Sequence, residues 1–178
     1  RTPRIAVLLA DTGTDGNISS VRAQNMWRRW MLAHVMPKPG GNALDPQFTA
    51  CSSHHYGEMV DADDASQIMF VDRYLEEGLK PDYWWMDAGW YPNEWGWPNT
   101  GTWKVDTSRF PNGLRIVSDH AHDRDIRIIV WFEPERVTPG TELWTEHADW
   151  LFEHPDDPNG QRLLDLGDPA AREWLTDR

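Results

Sequence analysis

Apolar and polar positions come in alternating blocks along this chain, and the spacing within each block predicts strands and helices in turn. Residues 11–20 (DTGTDGNISS) and 36–46 (MPKPGGNALDP) are rich in Gly, Pro, Asn and Asp and read as loops. Between them lies VRAQNMWRRWMLAHV, with Met26, Trp30 and Ala33 at helical spacing and Arg28 and Arg29 elsewhere on the wheel, which predicts a short helix or an irregular lead-in. From residue 47 the order becomes regular. QFTACS predicts a short buried strand. A helix follows, with Asp61 as its N-cap, Asp63 and Asp64 complementing the dipole, and Ala65, Ile68, Val71, Leu75 and Leu79 as its apolar face. Gly78 is a natural stop for it.

PDYWWMDA, after Pro81, predicts a second strand, and a long Trp-, Pro-, Asn- and Gly-rich loop from Gly89 to Pro111 follows. Leu114, Val117 and Ala121 fall in register for a helix opening near Gly113, which leads into IRIIVWF, a β-branched run suited to a strand buried on both faces. RLLDL predicts a brief strand-like piece. Asp168 and Pro169 then open a last helix by the N-cap and first-turn proline rule, with Ala171, Trp174 and Leu175 inward.

Strand and helix alternating with crossovers of this length predict a parallel sheet. Strands start near residues 47, 82 and 126, so each unit takes roughly 35–45 residues, and a closed eight-stranded barrel needs on the order of 250 residues. The expected fold class is therefore α/β, a partial (β/α)8 (TIM) barrel with about the first three β/α units and parallel strands. It is expected to occupy residues 46–178, after a lead-in segment, 1–45, from a preceding domain or linker.

Composition narrows the chemistry. The 178 residues suffice for one domain with a buried core, and a net charge of −12 argues against nucleic acid or an anionic membrane as partner, leaving a neutral substrate as the better fit. Cys51 is the single cysteine, so no intrachain disulfide or cysteine-based zinc site forms, which suits a cytoplasmic location. Ile5 to Ala10 is too short a run for a signal peptide core or a membrane span, and the chain, lacking an initiator Met, reads as excised from something longer. Twelve Trp stand against four Tyr and five Phe. Packing accounts for many single indoles, but the excess as a set favours a carbohydrate surface, where flat rings stack on sugar C–H faces.

In a parallel barrel, working residues gather at the C-terminal ends of strands. Three such ends are readable: Ser52, Ser53, His54, His55 and Tyr56; then Asp87, Ala88, Gly89 and Trp90; then Trp131, Phe132, Glu133, Pro134 and Glu135. Asp87 sits between an apolar strand and a glycine turn, where it can accept hydrogen bonds from two sugar hydroxyls, or alternatively serve a cap or turn. Bonds to a charged group contribute roughly 1.5–3 kcal/mol each. Glu133 and Glu135 share a face if the strand runs through them, but two carboxylates on one strand approach a bond from the same side, and glycoside hydrolysis needs them on opposite sides. Ion pairing of these glutamates to Arg136, Arg127 or Arg172, or support of the rim, is the stronger expectation. Adjacent His54 and His55 would point to opposite faces of a strand, so no metal site is expected there.

Taken in order, DYWWMDAGWY, TGTWKVDTSRFPNGL, IVWFEPERV, HADWL and LLDLGDPAAREWL resemble the α-galactosidase/melibiase family of glycoside hydrolases, which joins a β-sandwich to a (β/α)8 barrel, and the resemblance covers roughly residues 22–178. It implies retaining hydrolysis of terminal α-galactosides by two aspartates, after the fourth and sixth strands. Both are expected beyond residue 178, so no catalytic residue is expected in this chain. The resemblance assigns substrate binding to Asp87, the first carboxylate of an Asp-Asp-Gly-Trp element holding hydroxyls around C4 and C6, with Trp90 completing that element and Trp131 lining the pocket. His54, His55 and Glu133 join them as substrate-binding candidates at the same rim. The implied partner is a carbohydrate, with no cofactor or metal, no nucleic acid and no membrane, and a homo-oligomer as the full-length enzyme. Ala88 stands where the family has its second Asp, which removes one acceptor. Ser53, His54 and His55 occupy a stretch where a Trp is usual, and Asp125 replaces a customary small turn residue. A catalytically inactive sugar-binding piece remains the alternative. A small flavodoxin-like protein would need phosphate-cradling glycines after its first strand, which SSHHYGEM lacks.

Overall fold

Three short parallel strands, β1 (Thr49–Ala50), β2 (Tyr83–Met86) and β3 (Arg127–Val130), lie side by side in that order. They belong to a computed structural model that describes residues 7, 20–52, 57–93, 99–153 and 160–178. The chain divides into two compact units, residues 1–46 and 47–178. In the first, α1 (Ser20–His34) is a regular helix on which Trp27 and Trp30 stack at 5.1 Å. The second unit holds the sheet.

Parallel neighbours require a crossover, and helices supply it. After β1 come a single turn, α2 (Glu58–Asp61), and α3 (Asp64–Glu76), and β2 is followed by α4 (Arg115–His122). Val71 of α3 and Val117 and Ala121 of α4 are fully buried in one core with Trp84 and Met86 of β2. The two helices are joined by Asp72, which meets His120 Nε2 at 2.8 Å and Arg124 Nε at 3.2 Å. The register sets Trp84 beside Ile128 and Met86 beside Val130, so these four side chains share one sheet face.

Two expectations about α3 are corrected. Asp63, not Asp61, is its N-cap. The Asp63 carboxylate accepts from Ser66 N–H at 2.7 Å and Ser66 Oγ accepts from Asp63 N–H at 3.0 Å, a reciprocal capping box, whereas Asp61 ends α2. The inward face is also only partly the expected one: Val71 is buried and Leu75 packs against the core as expected, but Gln67 is buried too, with Phe70 and Tyr74 alongside, while Ala65 and Leu79 are exposed. Gln67 is tolerated in the core because both ends of its amide are satisfied. Its Nε2 donates to Ser52 Oγ at 3.1 Å and its Oε1 accepts from Trp84 Nε1 at 2.8 Å, tying the end of β1, helix α3 and β2 together. Gly78 does follow the helix, at φ 76.

β3 stops at Val130 instead of continuing through Phe132, and Arg127 is exposed, so it is not covered on both faces. The chain then leaves the parallel sheet. β4 (Arg136–Val137), α5 (Glu142–Glu146), β5 (Leu151–Glu153) and β6 (Arg162–Leu164) follow, and the strands form a second, antiparallel sheet in the order β4-β6-β5. The RLLDL piece is β6. Helix α6 (Pro169–Thr176) is capped as its sequence predicts, with Asp168 Oδ1 accepting from Ala170 N–H at 2.7 Å. No helix among the described residues is long and apolar enough to cross a membrane.

Candidate sugar-binding site

The site is assembled where β2 and β3 end. Trp131 N–H donates to the Met86 carbonyl at 2.9 Å, which carries the pairing one step past the last rung and sets Asp87 and Trp131 next to each other at the C-terminal edge. Asp87 is half-buried, and its Oδ1 accepts from the Ala88 N–H at 2.8 Å, a local bond that fixes the carboxylate at the mouth of the turn. Trp131 is half-buried too.

Behind this pair stands a box of aromatic rings. Trp90 is 4% exposed, and its Nε1 donates to the Trp131 carbonyl at 2.8 Å, clamping the loop after β2 to the end of β3. Trp90 is thus buried support for Trp131, and its indole N–H is already committed. Tyr91 lies nearly parallel to Trp131, with centroids 6.3 Å apart and an 18° interplanar angle. Trp103 packs edge-on against Tyr91 at 5.0 Å and 6.1 Å from Trp90, and Phe132 closes the group at 5.0 Å from Trp90. Offset and edge-on contacts of this kind each add about 0.5–1.5 kcal/mol beyond the area they bury.

The long loop that carries Trp103 is held by Arg109. Its guanidinium donates to the Tyr91 carbonyl at 2.8 Å, to the Ala62 carbonyl at 3.2 Å and to Asp106 Oδ2 at 2.9 Å. Asp106 N–H in turn donates to the Trp90 carbonyl at 2.9 Å. Burial alone would raise the Asp106 carboxyl, but hydrogen bonds from Ser108 and Arg109 outweigh it and hold the group below the usual carboxylate range. The Tyr91 hydroxyl is pushed the other way, well above the ordinary phenol range, chiefly by burial and then by the negative charges of Glu133 and Asp87.

Glu133 is held by Arg136 Nε and Nη2, one to each carboxylate oxygen, which is the ion pairing its sequence neighbourhood suggested. Glu135 is exposed, and because the strand has already ended the two glutamates do not form a pair on one strand face. His54 and His55, with Ser53 and Tyr56, lie outside the described residues. Among the described residues no three His, Cys, Asp or Glu side chains are grouped to hold a metal. Tyr91 and Arg109 were not singled out from sequence. Both lie within motifs whose residue types are plain, but their partners are distant along the chain.

An acceptor carboxylate beside a half-buried indole suits a neutral polyol with one polar and one apolar face. The family model for melibiase matches residues 56–176. Alpha-galactosidase 2 of Pediococcus pentosaceus is 35% identical over 95 residues, covering 51% of this chain and 13% of that enzyme. Alpha-galactosidase Mel36A of Lactobacillus acidophilus is 32% identical over 108 residues, covering 58% of this chain and 14% of its own length. The crystal structure of the GH36 alpha-galactosidase AgaA from Geobacillus stearothermophilus superposes with a TM-score of 0.63 at 21% identity, over 75% of this chain and 19% of that one, a likeness of fold. Variants of AgaA have also been solved in complex with raffinose and with stachyose. The chain therefore spans about an eighth to a fifth of these relatives, and with a family match extending over most of its length it belongs to the melibiase family.

Proposed function

We propose that the chain is the sugar-binding portion of an α-galactosidase-type glycoside hydrolase, and that β1, β2 and β3 with their helices are the first three units of its (β/α)8 barrel. The observation that carries this reading is the placement of Asp87 and Trp131 side by side at the C-terminal edge of a parallel sheet, the edge at which barrel enzymes bind their substrates. In the bound state Asp87 accepts hydrogen bonds from two hydroxyls of a terminal α-linked galactose or a close analogue, and the Trp131 indole covers its apolar face. Trp90, Trp103 and Arg109 keep that indole and its loop in place.

Cleavage is assigned elsewhere. A retaining mechanism needs two carboxyl groups about 5–5.5 Å apart on opposite sides of the bond. Glu133 is engaged by Arg136, and Asp87 lies on the same edge as the indole that would receive the sugar. The family resemblance puts both reacting carboxylates after the fourth and sixth barrel strands, beyond residue 178, and the 178-residue chain alone is expected to give no turnover. The test is an assay of the full-length protein on p-nitrophenyl α- and β-glycosides of galactose, arabinopyranose and N-acetylgalactosamine. Release from the α-galactoside or its α-linked analogues is expected. Hydrolysis confined to β-linked probes, or none at all, would overturn the reading.

A further inference from the structure

Trp85 is a large apolar side chain left open one level beneath the sugar site. Its neighbours Trp84 and Met86 are sealed in the helix-covered core, whereas Trp85 is 38% exposed on the opposite face of the sheet. The strand register divides that face into levels. At the lowest, Tyr83 lies beside Arg127, whose Nη1 donates to the Tyr83 hydroxyl at 2.7 Å and whose Cζ sits 5.4 Å from the ring centre. Above them Trp85 lies beside Ile129. The ladder then runs half a rung further. Trp131 N–H still donates to the Met86 carbonyl at 2.9 Å, while Ala88 N–H turns away to Asp87 Oδ1 and the Trp131 carbonyl accepts from the Trp90 indole instead. Asp87 and Trp131 therefore occupy the next level of the same face, about 6–7 Å along the strands from Trp85 and Ile129.

Barrel interiors are filled by side chains in layers, and the uppermost filled layer is the surface that a ligand at the mouth meets. We infer that Trp85, with Ile129 beside it, forms the floor of the sugar pocket and determines specificity by refusing substituents at the buried end of the terminal sugar. A pyranose whose leaving group points to solvent brings the opposite end of its ring, with O3, O4 and O6, down towards this surface. Asp87 supplies the charged acceptor there. The floor beneath it is apolar and broad, and an indole fills depth that a smaller side chain would leave open. A methyl carried on an oxygen pressed against that ring has no room. One such misfit in an apolar pocket changes kcat/KM by about 10- to 200-fold.

The inference rests on the α-galactosidase reading and its three-unit barrel, and one set of measurements separates them. The full-length protein is assayed on p-nitrophenyl α-galactoside and on its 3-, 4- and 6-O-methyl ethers. Wild type should turn over at least one ether about tenfold less well than the parent glycoside, by kcat/KM. Trp85→Leu should raise the ratio of that ether to the parent about tenfold, with Trp85→Phe in between. A residue that only fills the core would lower the melting temperature and leave every ratio where it was, so unmoved ratios overturn the inference whatever the melting temperature does. So does a wild type that accepts all three ethers as readily as the parent. Should Trp85→Leu fail to fold, Trp85→Phe, which keeps an aromatic ring but narrows the floor, is judged on the same ratios. A wild-type protein with no turnover of any α-linked probe overturns the functional reading and this inference with it, whereas sound wild-type activity with unmoved ratios removes the inference alone.

Discussion

Trp84 and Trp85 are neighbours in sequence and opposites in environment. Trp84 is 0% exposed, packed edge-on against Tyr74 at 5.7 Å with its Nε1 donating to Gln67, while Trp85 is 38% exposed. The alternation of a strand sends one side chain to the helix-covered face and the next to the other. Ile129 lies beside Trp85 on that second face, which also carries Thr49 and Tyr83. The contrast teaches that α3 and α4 cover one side of the sheet only. An apolar strand residue on the other side is what a barrel interior requires, and this supports the proposed three-unit reading.

The largest expected effect breaks the contrast at its centre. Trp84→Ala should destabilise the chain by about 3–5 kcal/mol in a denaturant melt, while Trp85→Ala should cost about 1 kcal/mol or less. In the full-length protein, where further strands of the proposed barrel would cover that face, the Trp85 variant should approach the Trp84 cost. A small Trp85 effect in both settings would argue against closure of the sheet. Gln67→Ala comes next. It strips the partner from the Trp84 indole and from Ser52 at once, and a loss of about 2–3 kcal/mol is expected, with the emission of Trp84 shifting as its environment opens.

The same opposition of sealed and open sites holds for charge. Glu142 has a side chain 9% exposed between Lys104 Nζ at 2.9 Å and Arg178 Nη2 at 2.7 Å, whereas the Arg73–Glu76 pair is two-thirds exposed. Burial would raise the Glu142 carboxyl, but the two cations outweigh it and hold it below its ordinary value. A carboxyl lowered in the folded state stabilises the fold above its unfolded pKa, and that stabilisation is lost as pH falls through the folded one. Glu142→Gln should therefore lower stability at neutral pH and flatten its decline in acid, while Glu76→Gln, in a pair open to water, should cost little stability at neutral pH. A pH-stability curve for the two variants checks this. The smallest effect expected is at Asp125, which holds φ 56 just before β3, a left-handed conformation that favours glycine. Its salt bridge to Lys80, 3.3 Å away, is largely open to water and contributes little. Asp125→Gly should stabilise by about 0.5 kcal/mol, and a measured loss would show that the turn depends on the aspartate.

The turn at Asp125 also shows where sequence was informative and where it was not. Its departure from a small residue was visible, but the positive φ that explains the usual preference appears only in the backbone. The parallel order of the strands, α4 with Val117 and Ala121 inward, and the Asp168–Pro169 start of α6 were legible because each rests on local periodicity or capping chemistry. The cap of α3 was misplaced because three aspartates compete within four positions, and only Asp63 has a serine three residues on to complete the box. Its buried face was partly misread because hydrophobic periodicity cannot register a satisfied Gln67. The antiparallel sheet escaped because its strands are two or three residues long, below the span over which alternation can be recognised. At the site, Asp87 and Trp131 were legible as strand-end residues. The structural work of Trp90, the tether from Arg109 and the sealed hydroxyl of Tyr91 depend on contacts 18–47 residues apart, which no local pattern encodes.

The proposed role of Asp87 in holding the sugar is tested most directly by kcat/KM of full-length Asp87→Ala on p-nitrophenyl α-galactoside. Losing two charge-assisted hydrogen bonds should lower kcat/KM by about 100-fold or more, with the melting temperature preserved. A variant as active as the wild type would contradict the account.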